Sequence, residues 1–490
     1  MVLNKKHMLL SLSLGCLSAG TGLPQSGSEH SLTELNAGNI RAGFYLSASP
    51  SAWGFLNERF AGKPGASPVS GNPAGLCLYA KRDIMVEAGP AAHFNIKRLI
   101  DIDRRVRREM DDVLSRYGTG GSRVVYPVVS PSGGFESSLT GFSFSFPFRL
   151  SGRSLGAGLG WSAPLSLKFQ ATGTGIETGV ESVQDIQGEL KRIRMRTRVT
   201  ADALASLRLN RIVFGAGCDL GKGWALGLSL QRQEVSGSVE AAARLDGIVE
   251  ISGTEYMFND PFDPRIDFGA GEQNDINQFF QADYRGSGWA LRLGAVKQAS
   301  ENLTWDMELQ SSVVIRASGT DSTVNNRVPF IKTEGAGSGG DVGDMIDPTR
   351  IDLARLTCTE RFVSVNAFDP VLEIPGHAGL GCLWTRGETR LDFRFALYWG
   401  RLGARAEEEQ EIAFRPSFSL GAGASFNRFF FKGSATRGSL IRSGGKRPVS
   451  FWIPSAGIGY RIPVTASCDA DALVGLCPLP VLQAVVHFEF

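Results

Sequence analysis

Apolar and small residues take turns along several stretches of this chain, and only an extended strand keeps a side-chain period of two. From Leu155 the odd positions read Leu155, Ala157, Leu159, Trp161, Ala163, Leu165, Leu167 and Phe169, against Gly156, Gly158, Gly160, Ser162, Pro164, Ser166, Lys168 and Gln170. Similar registers set Phe142, Phe144, Phe146 and Phe148 opposite Ser143, Ser145, Pro147 and Arg149, and Trp224, Leu226, Leu228 and Leu230 against Ala225, Gly227, Ser229 and Gln231. The pattern returns at Trp289, Leu291, Leu293 and Ala295, and at Leu391, Phe393, Phe395, Leu397 and Trp399. A half-solvated sandwich would carry Lys, Glu and Thr on its polar face, whereas Gly, Ser and Ala suit an enclosed interior. Such strands predict an all-β fold, a transmembrane antiparallel β-barrel.

The remaining composition agrees with that architecture. Sixty Gly and 30 Phe give a barrel small residues for its lumen and aromatics for lipid and its interfaces. No apolar run reaches the ~18 to 20 residues of a spanning helix. A net charge of +2 offers no field for nucleic acid or another polyanion. Residues 1–20 read as an export signal: Lys5, Lys6 and His7, then an apolar stretch from Met8 to Leu14, then Ser18-Ala19-Gly20 as a cleavage site. Cys16 hints at a lipoprotein signal, though Ser13 stands where Leu is usual. Cys77, Cys218, Cys358, Cys382, Cys468 and Cys477 contain no C-x-x-C pair; in an exported chain Cys468 and Cys477, the nearest in sequence, are expected to form a disulfide. The last strand sets Leu482, Ala484, Val486, Phe488 and Phe490 on one face, which resembles the terminal signal read by the barrel-assembly machinery, with Phe488 and Phe490 carrying it.

Connection lengths alternate as a barrel requires, with short turns at 150–154, 219–223, 299–302 and 385–389 and long outer connections at 95–133, 171–197, 242–277 and 318–360. About thirteen strands are clear, and an even count places the missing one near 124–129 or within 463–479. In the first long connection Leu99, Ile102, Val106, Met110, Val113, Leu114 and Tyr117 recur at helical spacing, which predicts an external helix capping the barrel mouth. Its Arg104, Arg105, Arg107 and Arg108 also fit a membrane-surface helix.

Residues 21–76 are too polar to span and too rich in Gly, Pro and Ser for a domain with its own core, so a plug inside the barrel formed by 77–490 is expected. Asn72-Pro73-Ala74-Gly75-Leu76, just before the first strand, resembles the hatch motif of the FadL-type long-chain fatty-acid transporters. Pro73 fixes φ and Gly75 permits a reversal, so the peptide can hold a turn in a pore. The resemblance implies a monomeric barrel of about 14 strands with an N-terminal hatch, releasing hydrophobic cargo sideways into outer-membrane lipid through a kink in the third strand. For that kink the sequence offers Gly156, Gly158, Gly160 and Pro164, since Pro removes a ladder donor and Gly removes lumen side chains.

A fatty acid needs an apolar pocket and a few cations, and by strand register Arg149, Lys168, Arg292 and Arg394 point into the lumen as carboxylate candidates. No G-x-S-x-G, H-E-x-x-H or EF-hand spacing occurs, so no enzyme, cofactor or metal is expected. The expected function is outer-membrane uptake of long-chain fatty acids or similar hydrophobic compounds. The alternative is a surface-exposed, adhesin-like barrel acting through its long loops. A water-filled porin ranks behind both, because the plug would be an odd addition to an open channel.

Overall fold

The computed structural model describes residues 30–47, 69, 71–78, 82–90, 92–94, 104, 107–108, 110–111, 114, 123–131, 137–186, 189–251, 254–258, 276–327, 360–367, 369–405, 412–442, 449–465, 468–476 and 480–489. The chain begins with β1 (His30–Asn36) and β2 (Asn39–Ser47), then a short 3-10 helix over Pro73–Leu78. β3 (Asp83–Pro90), β4 (Ala92–Phe94), β5 (Arg123–Val125), β6 (Val128–Pro131), β7 (Ser137–Leu150) and β8 (Arg153–Ile186) follow. Next come β9 (Glu189–Gly221), β10 (Trp224–Ile251), β11 (Thr254–Phe258), β12 (Ile276–Ser300), β13 (Leu303–Gln310) and β14 (Val313–Arg327). β15 (Glu360–Ala367), β16 (Val371–Ile374), β17 (Gly376–Arg386), β18 (Thr389–Trp399) and β19 (Leu402–Arg405) lead to β20 (Ile412–Phe426) and β21 (Phe429–Arg442). β22 (Val449–Thr465), β23 (Cys468–Leu476) and β24 (Pro480–Glu489) complete the chain's strands among the described residues.

Antiparallel ladders join β3, β7, β8, β9, β10 and β12 in that order. They continue through β13 with β14, through β17 with β16, and through β18 with β19. From β20 they pass to β21, β22, β23 and β24, which pairs with β3. These are fourteen wall positions, and β23 is the strand that the sequence leaves indistinct within 463–479. The residues near 124–129 instead form β5 and β6, which pair parallel to β1 and β2.

Short turns gather at one end. Between β7 and β8 the turn is two residues, Ser151 at φ 52° and Gly152 at φ 77°, and this left-handed pair matches the twist of the flanking strands. At the other end the expected long connection 171–197 is largely strand, because β8 and β9 run on as a tall hairpin. Side-chain exposure divides the wall: Leu226, Leu228 and Leu230 are 44%, 49% and 43% exposed on one face of β10, while Ser229 and Gln231 on the other are fully buried. Large apolar side chains exposed in rows on β7, β10, β12, β18 and β22 form a surface made for lipid, not water.

One expectation is corrected here, and the disulfide expectation reaches beyond the described residues. Cys468 is a free cysteine at the start of β23, and the extended strand leads away from it at about 3.3 Å per residue. Cys477, its expected disulfide partner, lies outside the described residues. Residues 30–47, assigned by sequence to the plug, are strands laid along the wall on β8. Phe488 is exposed on β24, and Phe490 lies outside the described residues. Residues 1–20 are likewise outside them.

Candidate functional site in the barrel lumen

At the turn end the short 3-10 helix sits against the inner wall, with Asn72, Pro73, Ala74, Gly75, Leu76 and Cys77 buried. Its fold is local: the Asn72 side-chain oxygen accepts from the Ala74 amide at 3.0 Å, and the Gly75 amide donates to the Asn72 carbonyl at 3.0 Å. The wall's glycines make room for it. A Cβ on Gly156 would lie 2.0 Å from the Leu76 carbonyl oxygen, on Gly227 2.2 Å from the Ala74 nitrogen, and on Gly294 1.8 Å from Asn72 Oδ1. Gly158 and Gly160 face Val69 in the same way. Gly156, Gly158 and Gly160 therefore seat the hatch; β8 runs through them in unbroken register with β7 and β9, so they do not kink the strand.

Asn72 also anchors the hatch to the wall. Its amide nitrogen donates to Asp306 Oδ1 at 2.8 Å, to the Met307 carbonyl at 2.9 Å and to the Ala295 carbonyl at 3.2 Å. Arg292 donates to the Gly71 carbonyl at 2.9 Å and holds Gln310 through Nε at 3.0 Å. Arg394 lies 3.6 Å from both Asp306 and Glu308, and His377 Nε2 is 2.8 Å from Glu308. Two of the four carboxylate candidates, Arg292 and Arg394, thus belong to a charge cluster that holds the hatch. Burial pushes the Cys77 thiol up to about 12, with Asp219 and then Cys218 adding to it.

The other two candidates fall elsewhere. Arg149 is exposed at the rim beside the β7–β8 turn. Lys168 is on the outward face, a correction with one cause. Ser162 pairs with Arg211, but the next pair is Leu165 with Leu209, so Ala163 and Pro164 together oppose Asn210. One extra residue in a ladder swaps the faces that follow. Beyond Pro164 it is Leu165, Leu167 and Phe169 that turn inward, and Lys168 shares the outward face with its partner Ser206 and lies over the Tyr45 ring.

A cation that the sequence analysis missed occupies the place left vacant. Arg211 is 6% exposed on the inner face, and its Nε and Nη1 have no hydrogen-bond partner among the described residues. Its register neighbours are Ser162 on β8 and Gln233 on β10, with Gln231 one inward position nearer the hatch. Ser162, Ser229, Gln231 and Gln233 are equally buried, and their polar side-chain atoms are also without partners among the described residues. Toward the mouth this polar belt gives way to an apolar layer: Leu209, Val235, Ala290, Val313, Ile315 and Ala317, packed with Leu165, Tyr284 and Leu372. Above it Met110 and Leu114, at helical positions of the predicted cap, pack on Ile40, Ala42, Phe169 and Ala171. Tyr126 ties that cap down by donating to Asp111 at 3.1 Å and lying under Arg107.

The lumen is therefore graded along its axis, from an apolar layer through a polar belt with unused donors to a hatch seated on glycine. Such an order suits an amphipathic molecule, tail toward the mouth and polar head at Arg211. No family model matches the sequence, and no curated protein matches it. Among solved structures it is similar to a Pseudomonas aeruginosa FadL homologue, at 12% identity over 91% of this chain and 98% of that one, with a TM-score of 0.44. It is also similar to the Pseudomonas putida toluene transporter TodX, at 12% identity over 90% and 96% of the two chains, with a TM-score of 0.42. The Ralstonia pickettii toluene transporter TbuX gives 11% identity over 90% and 97%, with a TM-score of 0.41. At this level of superposition nothing in the reading of the lumen rests on them.

Proposed function

We propose that this protein is an outer-membrane transporter that takes up long-chain fatty acids or closely similar hydrophobic acids. The carboxylate is held at the polar belt, the tail lies in the apolar layer, and the molecule leaves sideways where β7 and β8 part near Pro164. It works as a monomer, inserted through the barrel-assembly machinery by its C-terminal strand.

Arg211 carries this reading. A buried guanidinium with idle donors is destabilising by several kcal/mol unless an anion pairs with it, and a carboxylate supplies two acceptors in the geometry of the guanidinium fork. A neutral hydrocarbon would leave the charge unanswered. The tail supplies most of the affinity, at about 0.8 kcal/mol per buried methylene, while the head fixes orientation. Titrating a fluorescent long-chain fatty acid, and the alcohol of the same chain length, into the refolded barrel tests it. Arg211→Gln is expected to weaken the acid by about ten- to a hundredfold, the loss of a charge-assisted bond, and to leave the alcohol nearly unchanged. Equal effects on both, or none on the acid, would remove Arg211 as the head-binding group.

One observation favours a second reading, an interaction barrel working through its outer loops. The tall β8–β9 hairpin carries Arg192, Arg194, Arg196 and Arg198 in an exposed outward row, paired in part with Glu177 and Glu181. Loss of surface binding with intact uptake, on trimming that hairpin, would support it.

A further inference from the structure

The outward face of the wall changes character over a single step. Across β8, β9, β10 and β12 one register row is Leu159, Phe214, Leu230 and Leu291, and the next toward the mouth is Trp161, Ile212, Arg232 and Trp289. Trp289 is 54% exposed, and an amphipathic ring so placed marks where hydrocarbon gives way to headgroups. The short turns gather at the opposite end, so this boundary belongs to the outer leaflet.

Arginines collect directly above it. Arg208, Ser236, Arg285 and Ser318 share a row on β9, β10, β12 and β14, and Arg316 opposes Ser287 one outward row below. All three arginines are exposed. Arg208 and Arg285 are two strands apart, about 10 Å, and Arg316 is a diagonal neighbour of Arg285 at about 7 to 8 Å, so their long side chains can close on one anion. The Arg208 guanidinium lies 5.9 Å from the centre of the Trp161 ring and its Nε donates to Asn210 at 3.1 Å, which holds it down against the aromatic row. Arg285 and Arg316 have no hydrogen-bond or ion-pair partner among the described residues.

Two acids share this surface. Glu234 is paired with Arg232 at 2.9 Å, and Asp283, one row further out, accepts from Gln281 at 2.9 Å. With Glu234 and Arg232 cancelling, three arginines stand against one aspartate. Higher on β9 the arrangement differs, for Arg192, Arg194 and Arg198 are ion-paired with Glu181 and Glu177.

We infer that Arg208, Arg285 and Arg316 form a docking site for the phosphate of an outer-leaflet lipid headgroup. Phosphate offers charged acceptors to guanidinium forks, and the acyl chains of the same molecule lie on the leucine and tryptophan rows just below. A free anion would use the arginines and leave that apolar surface untouched. Ser166, the β8 partner of Arg208, is also the first β8 residue paired with β2, in the N-terminal strap that β1 and β2 form along the upper edge of β8. The docked lipid therefore sets the depth of the barrel in the leaflet at the level where β7 and β8 part. This holds whatever cargo the lumen takes.

Native mass spectrometry of the refolded full chain, titrated in detergent with bisphosphorylated lipid A, tests it. The wild type is expected to hold one such lipid at least about tenfold more tightly than a variant carrying Arg208→Gln, Arg285→Gln and Arg316→Gln. It should bind the same lipid stripped of its phosphates as weakly as that variant binds the intact one. Changing Arg192, Arg194 and Arg198 to Gln removes the same charge higher on β9 and should leave binding within about twofold. Equal binding of the two lipid forms by the wild type, a comparison that needs no variant to fold, overturns the site. An equal loss in the two triple variants also overturns it, because net charge alone would then explain the binding. Displacement of the lipid from the wild type by millimolar inorganic phosphate would mark a site for a free anion and overturn the assignment to a lipid.

Discussion

β8 is two strands in one. Below Pro164 its odd residues Leu155, Leu159 and Trp161 face outward, its inward glycines seat the hatch, and wall strands pair with it on both sides. Above Pro164 the odd residues face inward to an apolar layer, and one neighbour is the chain's own N-terminal strap. A single extra residue separates a half that holds the hatch from a half where, on the proposed function, a bound acid leaves. The lower half is rigid because backbone meets backbone with no side chain between; the upper half rests on side-chain packing and a borrowed strand.

The sharpest way to break this contrast is a glycine from each half. Gly156→Val puts a side chain where the Leu76 carbonyl lies 2.0 Å from the Cβ position, and the hatch must leave its seat. In the wild type the Cys77 thiol, pushed up to about 12, is almost wholly protonated, with about 10⁻⁴ thiolate at pH 8. Maleimide labelling at pH 8, read by mass shift, should rise by on the order of a hundredfold or more in the variant, as the exposed thiol regains ordinary acidity. Gly173→Ala in the upper half meets only the end of the Ile176 side chain at 3.3 Å and should leave Cys77 protected. Equal labelling in the two variants would show that the halves do not differ in how they hold the hatch. Asn72→Ala is the next largest step. It deletes the donor to Asp306, Met307 and Ala295, worth about 2 kcal/mol for a bond to a charged group. Cys77 labelling should rise roughly thirtyfold, and labelling at the wild-type rate would mean that packing on the glycines suffices.

How much of this could be read in the sequence depends on which side of Pro164 one stands. The alternation in registers such as Phe142 to Phe148 and Trp224 to Leu230 predicts wall strands correctly, because lipid outside and small residues inside are chemically distinct. Above Pro164 the inner layer is itself apolar, so Leu165, Leu167 and Phe169 prolong an outward-looking pattern although they face in. Nothing local marks the bulge except the proline. The glycines suggest flexibility by composition, whereas their function is room for a segment far away in sequence. Arg211 is hidden for a related reason: Leu209, Asn210, Arg211, Ile212 and Val213 mix polar and apolar residues on both faces, so alternation assigns it to neither. Pairing β9 with β10 would have revealed it, since that register sets Arg211 beside Gln233 on the face that also holds Gln231 and Ser229.

Removing the boundary itself should have a moderate effect. Deleting Pro164 lets Ala163 alone oppose Asn210 and keeps Leu165 on Leu209, so both faces stay where they are while the bulge disappears. Fatty-acid affinity should hold within about twofold, and transfer to the bilayer should fall about tenfold, since a regular ladder leaves β7 less reason to part from β8. Loss of affinity together with transfer would mean that the bulge shapes the binding site and not the exit.

The smallest expected effect separates the two faces of the upper half. Lys168 and Arg211 are both cations near the parting, and the unbroken alternation of the sequence would send Lys168 into the lumen. The bulge sends it out, beside Tyr45 and Ser206. Lys168→Ala should therefore change fatty-acid binding by less than about twofold, as an outward charge is solvated and contributes under roughly 0.5 kcal/mol. Calorimetric titration beside Arg211→Gln reads the difference directly. A Lys168→Ala protein that binds the acid as weakly as Arg211→Gln would place both cations on one carboxylate, which two side chains on opposite faces of a sheet cannot share.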